Sequence, residues 1–462
     1  MRLIDKLSDQ AVPLNPLDAD ANNARETRIK LALVSQRLDA ILAEIKRIAS
    51  SEFAYNAARD ALERIRELFE EDKKFLGKLD EGSAPAAVDV LCQTVLTHLH
   101  EHLPLLGLIL RSTNVRNAFE LHPPLVRLAR KIIDSSIRVV LSSEWEYSPM
   151  IFLEAPSLRE FVFIGFPAHE SGNPFITPIA GHELGHALWS HGSQSLWRVS
   201  FENQLERQIT QAISEDEPTR KTFDTLYPDA KGATPQQLAV DLFYRSTWQP
   251  AFAWAAKQTE EYFCDLVGLY IFGESFLHAF AYLLRPSFQG ERPVEYPNYT
   301  RRIALQIRAA AEYGVSVPDG YSDWFTDMTE PSDFEEPKTF LLGLADRASD
   351  SVSTALIHHV SSILTLPRTA DKTATQSGAD SNGKGIENEL LDRLVKEFKE
   401  GAPPEDSGGL ASLLNAAWRV LLSDEPVKGI PADRKEEILR ELLLKAIEVL
   451  EYKTRIEQAN AT

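Results

Sequence analysis

The chain is 462 residues long, 44% hydrophobic and 25% charged, with a formal net charge of −19. These values describe an ordinary globular protein with room for two or three domains, and the acidic surplus disfavours a nucleic-acid backbone or an anionic membrane surface as partner. Cys92 and Cys264 are the only cysteines, which excludes a disulfide framework and suits a reducing, cytoplasmic compartment. The opening residues Met1-Arg2-Leu3-Ile4-Asp5-Lys6 lack the apolar core of a secretory signal.

Apolar residues Ile29, Leu33, Leu38, Ile41, Ile45 and Ile48 recur at helical spacing, and after Ser50-Ser51 the pattern resumes through Ala61, Leu62, Ile65, Leu68 and Phe69. Residues 24–76 are therefore expected to form a helical hairpin or bundle, inside an amphipathic helical region over 1–84. Residues 86–134 continue helically, with breaks expected at Pro104 and at His122-Pro123-Pro124. Residues 137–141 and 158–167 are β-rich and bounded by Ser, Pro and Gly. Residues 200–247 read as mostly helical, and 331–365 as a further mixed helical segment. Residues 266–284 are apolar enough to weigh as a membrane span, but Glu274, Ser275 and His278 interrupt them, and a buried core helix is the better reading. Residues 369–385 are small and polar, the composition of a flexible linker. Beyond it 386–400, 408–423 and 432–457 are helical again.

The chemistry concentrates in His182-Glu183-Leu184-Gly185-His186. Positions i and i+4 share one helix face, so His182 and His186 can point imidazole nitrogens at one metal ion. Glu183 sits beside that pair, where a carboxylate can take a proton from an activated water. Downstream, Glu261 and Asp265 stand at i and i+4 in Thr259-Glu260-Glu261-Tyr262-Phe263-Cys264-Asp265, among Phe252, Trp254, Leu266, Val267 and Leu269. Carboxylates are expensive to bury in such surroundings unless they are paired or bind metal.

His182-Glu183-x-x-His186 followed by Glu261-x-x-x-Asp265 resembles the gluzincin metallopeptidases, and in particular the soluble catalytic core of the CAAX prenyl protease-like branch. The resemblance implies one Zn2+ per chain held by His182, His186 and Glu261, with Glu183 as general base and Asp265 accepting the ring N–H of His182. Tyr296-Pro297 followed by Arg302-Ile303 is similar to an H-P-x-x-x-x-R-I element of the same branch, with Tyr296 standing where a histidine is expected. Its hydroxyl is a candidate donor to a tetrahedral oxyanion, and Arg302 is expected to anchor a carboxylate near the site. Gluzincins also carry a small sheet whose edge strand pairs with extended substrate, and residues 158–166 are the candidate for that strand.

Competing assignments stay open. Glu260 lies about 100° around the helix from Glu261 and is the rival third ligand. His98, His100 and His102 have mixed spacing and no carboxylate motif, which reads as a solvated helix face. His191 is expected at the end of the motif helix, His358-His359 to be structural, and Cys264 to be a buried small apolar residue.

The expectation is thus an α+β, predominantly helical protein: a zincin-like core with a small mixed sheet and two metal-ligand helices over 85–330, a helical extension over 331–368, the linker 369–385 and a helical region over 386–462. Its expected activity is zinc-dependent hydrolysis of a protein or peptide substrate, probing inside chains rather than their ends, without stable membrane insertion. The helical extensions are candidates for binding a protein partner or for covering the cleft until one arrives. The alternative is a catalytically silent, zinc-containing scaffold or interaction protein.

Overall fold

The computed structural model describes residues 16–80, 82–113, 119–146, 149–152, 156–170, 172–191, 195–285, 290–332, 335–364, 383–405 and 408–461. The protein is predominantly helical with one small mixed sheet, and it divides into two compact units.

The first unit comprises residues up to 115 together with 154–161. Three helices, α1 (Pro16–Ala49), α2 (Asn56–Leu76) and α3 (Pro85–Arg111), pack each against the other two. The helical stripes explain it: Leu38, Ile45 and Ile48 of α1, Ala61, Leu62, Ile65 and Phe69 of α2, and Val88, Val95 and Leu99 of α3 are all buried. The helical region therefore does not end at 84, because the apolar face of α3 has its partners in α1 and α2. Nor does Pro104 break α3. Pro104 and His100, whose carbonyl loses its i+4 donor, both lie on the exposed face, where water can serve that carbonyl.

The second unit comprises 116–153 and 162–462. It opens with α4 (His122–Ile132), which starts at the expected Pro pair, followed by strands β1 (Arg138–Glu144), β2 (Met150–Phe152) and β3 (Phe161–Pro167). The sheet order is β1-β3-β2. β2 runs antiparallel to β3, with Met150 opposite Gly165 and Phe152 opposite Phe163. This corrects the expected edge strand: β3 is central and buried along its whole length, so both of its edges are taken. The edges are β1 and β2, and β2 also packs against the motif helix α5 (Ala180–Ser190).

The remaining helices are α6 (Ser195–Glu215), α7 (Glu217–Leu226), α8 (Pro235–Val240), α9 (Leu242–Phe272), α10 (Glu274–Leu284), α11 (Tyr299–Tyr313), α12 (Glu336–Ile363), α13 (Gly383–Lys399), α14 (Leu410–Leu422) and α15 (Lys435–Ala461). α9 is the hub, packing against α5, α6, α8, α10, α11, α12 and α14. The apolar run 266–284 is not one helix: Gly273, at φ 61°, turns the chain between α9 and α10. No helix among the described residues is long and apolar enough to cross a membrane. Most of the expected linker, 369–382, lies outside the described residues, and its last three residues begin α13.

Candidate metal centre

The motif helix meets α9 at backbone distance. A Cβ added to Gly185 would come within 2.8 Å of the Cys264 Cα, and one at Gly181 within 2.9 Å of the Gly268 Cα. Glycine at those two positions lets the helices close up, which carries the His182/His186 face onto the carboxylates of α9.

His182 Nδ1 donates to Asp265 Oδ1 at 2.9 Å, and His186 Nδ1 donates to Glu260 Oε1 at 2.9 Å. With both Nδ1 atoms committed, both Nε2 atoms face Glu261: His182 Nε2 is 3.5 Å from one of its oxygens and His186 Nε2 is 3.5 Å from the other. The Glu261 Oε2 atom is buried without a hydrogen-bond partner. Glu260 and Glu261 thus have different tasks. Glu261 turns to the free imidazole nitrogens, while Glu260 orients the His186 ring as Asp265 orients that of His182.

Asp265 is fully buried and, besides His182, is held by three further donors: Arg302 Nε at 2.8 Å, Arg302 Nη2 at 2.6 Å and Gln306 Nε2 at 3.2 Å. Tyr321 donates in turn to Gln306 Oε1 at 2.9 Å. Burial would push the Asp265 carboxyl up, but the Arg302 guanidinium and His182 hold it well below the usual carboxylate range. Burial likewise works against a charge on His182, yet the hydrogen bond to Asp265 and the nearby Glu261 carboxylate outweigh it and push that pKa up to about 10. Glu183, 5% exposed, has its carboxyl pushed up, chiefly by burial, with His182 and His186 pulling the other way.

Tyr296 is 41% exposed, on the segment before α11. The negative charge of Glu261 is the foremost cause pushing its phenol up to about 12, ahead of burial. Two buried side chains pin its loop: Gln258 Nε2 donates to the Val294 carbonyl at 3.0 Å, and Arg292 Nε to that of Tyr296 at 2.8 Å. Arg292 also forks onto Asp346 of α12.

Cys264 presents a second possible ligand set. Its Sγ and one ligating atom each of His182 and His186 lie within 4.8 Å of one another. The thiol, however, is tucked into the seam against Gly185, and burial followed by the nearby Glu261 and Glu260 raises its pKa. Glu261 fits better as third donor, because its carboxylate sets one oxygen to each imidazole Nε2.

Sequence reasoning missed Glu260, Gln306 and Tyr321 as supports of the site; the Glu260-Glu261 doublet was a signal, but not one that separated their tasks. The other histidines lie elsewhere. His191 caps the end of α5, His359 packs on Trp197 with ring centroids 4.7 Å apart, and His102 is buried rather than on a solvated face.

No protein-family model matches the chain, and neither does any curated protein or solved structure.

Proposed function

We propose that the chain is a zinc-dependent peptidase of gluzincin type, with a zincin-like core formed by α5, α9 and the small sheet. The observation that carries this reading is the convergence of two imidazole Nε2 atoms on one buried carboxylate, each at 3.5 Å, while the opposite nitrogen of each ring is fixed by a carboxylate of its own. Two imidazoles and a carboxylate are the donor set of an open zinc site. A zinc ion held by His182, His186 and Glu261 would acidify a water and polarise a scissile carbonyl. Glu183 accepts the proton of the attacking water and passes it to the leaving amine nitrogen. The raised pKa of its carboxyl suits a group that must hold a proton between those two steps. The Tyr296 hydroxyl donates to the developing oxyanion. Extended substrate adds to the outer edge of β2, which packs on the motif helix.

A second reading, a closed structural zinc site in a scaffold, draws support from Cys264, which as a fourth ligand would leave no position for substrate. Metal analysis and cleavage of an unfolded protein substrate separate the two. The peptidase reading expects about one zinc per chain in wild type, in Glu183→Gln and in Cys264→Ala. It expects cleavage to fall about 10²–10⁴-fold in Glu183→Gln alone. Absence of zinc from the wild type, or undiminished cleavage by Glu183→Gln, defeats it. Loss of zinc from Cys264→Ala favours the structural site.

A further inference from the structure

The first unit holds a side-chain cluster that the metal centre does not use. His102 of α3 is 1% exposed, and both its ring nitrogens are engaged. Nδ1 lies 2.8 Å from the His98 carbonyl oxygen, and Nε2 lies 2.7 Å from Ser157 Oγ. A carbonyl only accepts, so Nδ1 carries the ring proton; Nε2 of the neutral ring is then an acceptor, and the Ser157 hydroxyl donates to it. Burial lowers the pKa of His102, which keeps the ring in that neutral form.

Ser157 is half-buried on the 3₁₀ turn Pro156–Leu158. With His102 it lines a cavity of about 490 Å³, a volume suited to a small ligand. A hydroxyl within hydrogen-bond reach of a base, with the base itself oriented by a third group, is the arrangement that activates a serine nucleophile. Gln93 and Thr97 line the same cavity and are side chains of the kind that donate to an oxyanion. Leu68 and Val90 give it an apolar wall, and Glu101 sets a carboxylate at it, so a short, uncharged acyl group fits better than an anionic one.

We propose that Ser157 and His102 form a nucleophile–base pair that cleaves a small neutral carboxylic ester entering this cavity. Ser157 Oγ attacks the ester carbonyl carbon as its proton passes to His102 Nε2. The bond to the alkoxy oxygen then breaks, and the same nitrogen returns the proton to the departing alcohol. Water, giving a proton to His102 Nε2, next attacks the acyl-serine; the acid leaves and Ser157 regains its hydrogen. The chemistry is independent of the metal centre, so it stands or falls apart from the peptidase reading.

The test uses the full chain carrying Glu183→Gln, in the presence of a chelator, so that the other site is silent. A fluorophosphonate probe should leave a single adduct on Ser157, located by tandem mass spectrometry. Ser157→Ala should abolish the adduct and lower p-nitrophenyl acetate hydrolysis, and His102→Gln should slow labelling on the order of 10²-fold. Failure of Ser157 to label overturns the proposal. So does labelling at an unchanged rate in a His102→Gln protein with native circular dichroism. If that variant does not fold, ester hydrolysis equal in Ser157→Ala and its parent overturns it instead; in either case the hydrogen bond merely ties the turn to α3.

Discussion

Each imidazole of the His182/His186 pair is held by its own carboxylate, but the two carboxylates are embedded differently. Asp265 has no exposure and neutralises Arg302, whose side chain is 7% exposed. Asp265→Ala takes both of its hydrogen-bonded contacts from that buried guanidinium and leaves it only the Glu261 carboxylate, 3.6 Å away, so it should cost about 3–5 kcal/mol of stability, read in denaturant unfolding of the metal-free protein. Glu260 pairs instead with Lys257, a side chain 62% exposed, which loses little when the carboxylate is removed. Glu260→Ala should therefore weaken zinc binding by about 10–100-fold, measured by competition with a chromogenic chelator, while its unfolding midpoint without metal stays near wild type. Equal losses of stability in both variants would show that Glu260 is a fold residue rather than a positioning one. His182, Glu183 and His186 were legible in the sequence because their relation is local to one helix. The tasks of Glu260 and Glu261 were not, since both are buried neighbours on α9, and only the position of α5 decides which imidazole atom each one meets.

At the scale of elements, the site depends on how near α5 comes to α9. Glycines recur on α5 at Gly181 and Gly185 and meet Gly268 and Cys264 across the seam, a small-residue signal present in the sequence beside the histidines. Gly185→Ala sets a methyl 2.8 Å from the Cys264 Cα, and backbone atoms cannot retreat as a flexible side chain does. The helices must part, at a cost of about 1–3 kcal/mol, and His182 and His186 then move away from Glu261. Gly185→Ala is expected to lower both the melting temperature and the zinc affinity. The same substitution at Gly343, exposed inside α12 with nothing within 4 Å, should leave zinc affinity unchanged and raise the melting temperature slightly, since alanine is favoured over glycine in a helix by about 1 kcal/mol. The long amphipathic helices were readable because their stripes repeat over many turns. β2 was not, since three residues are too few to show a period of two, and without β2 the apolar β3 passed for an edge. Pro104 misled for the opposite reason: a local breaker was overridden by the packing of α3 on both sides of it.

At the scale of the molecule, the helical regions flanking the centre look from sequence like removable covers, and the packing argues otherwise. Trp418 of α14 is 4% exposed, donates to the Phe175 carbonyl at 3.2 Å and stacks edge-on against the Phe175 ring, in the turn Pro174–Ile179 that leads into the motif helix. Asn415 Oδ1 accepts from Ser275 N at 2.7 Å at the start of α10, and Arg419 pairs with Glu274 at 2.8 Å. The C-terminal region is therefore part of the wall that fixes α5 and α10, and composition alone could not reveal it because every one of these contacts is remote in sequence. Within the first unit, α3 would lose both partners if residues 1–84 were removed, baring Val88, Val95 and Leu99. Deleting the residues after 385 should accordingly abolish zinc retention and cooperative unfolding, and Trp418→Ala alone should cost about 3–5 kcal/mol. Autoinhibition by these helices makes the contrary demand, a shortened chain that stays folded, keeps its zinc and cleaves faster than wild type. Unfolding, metal content and cleavage rate, measured together on the deletion, decide between a brace and a lid.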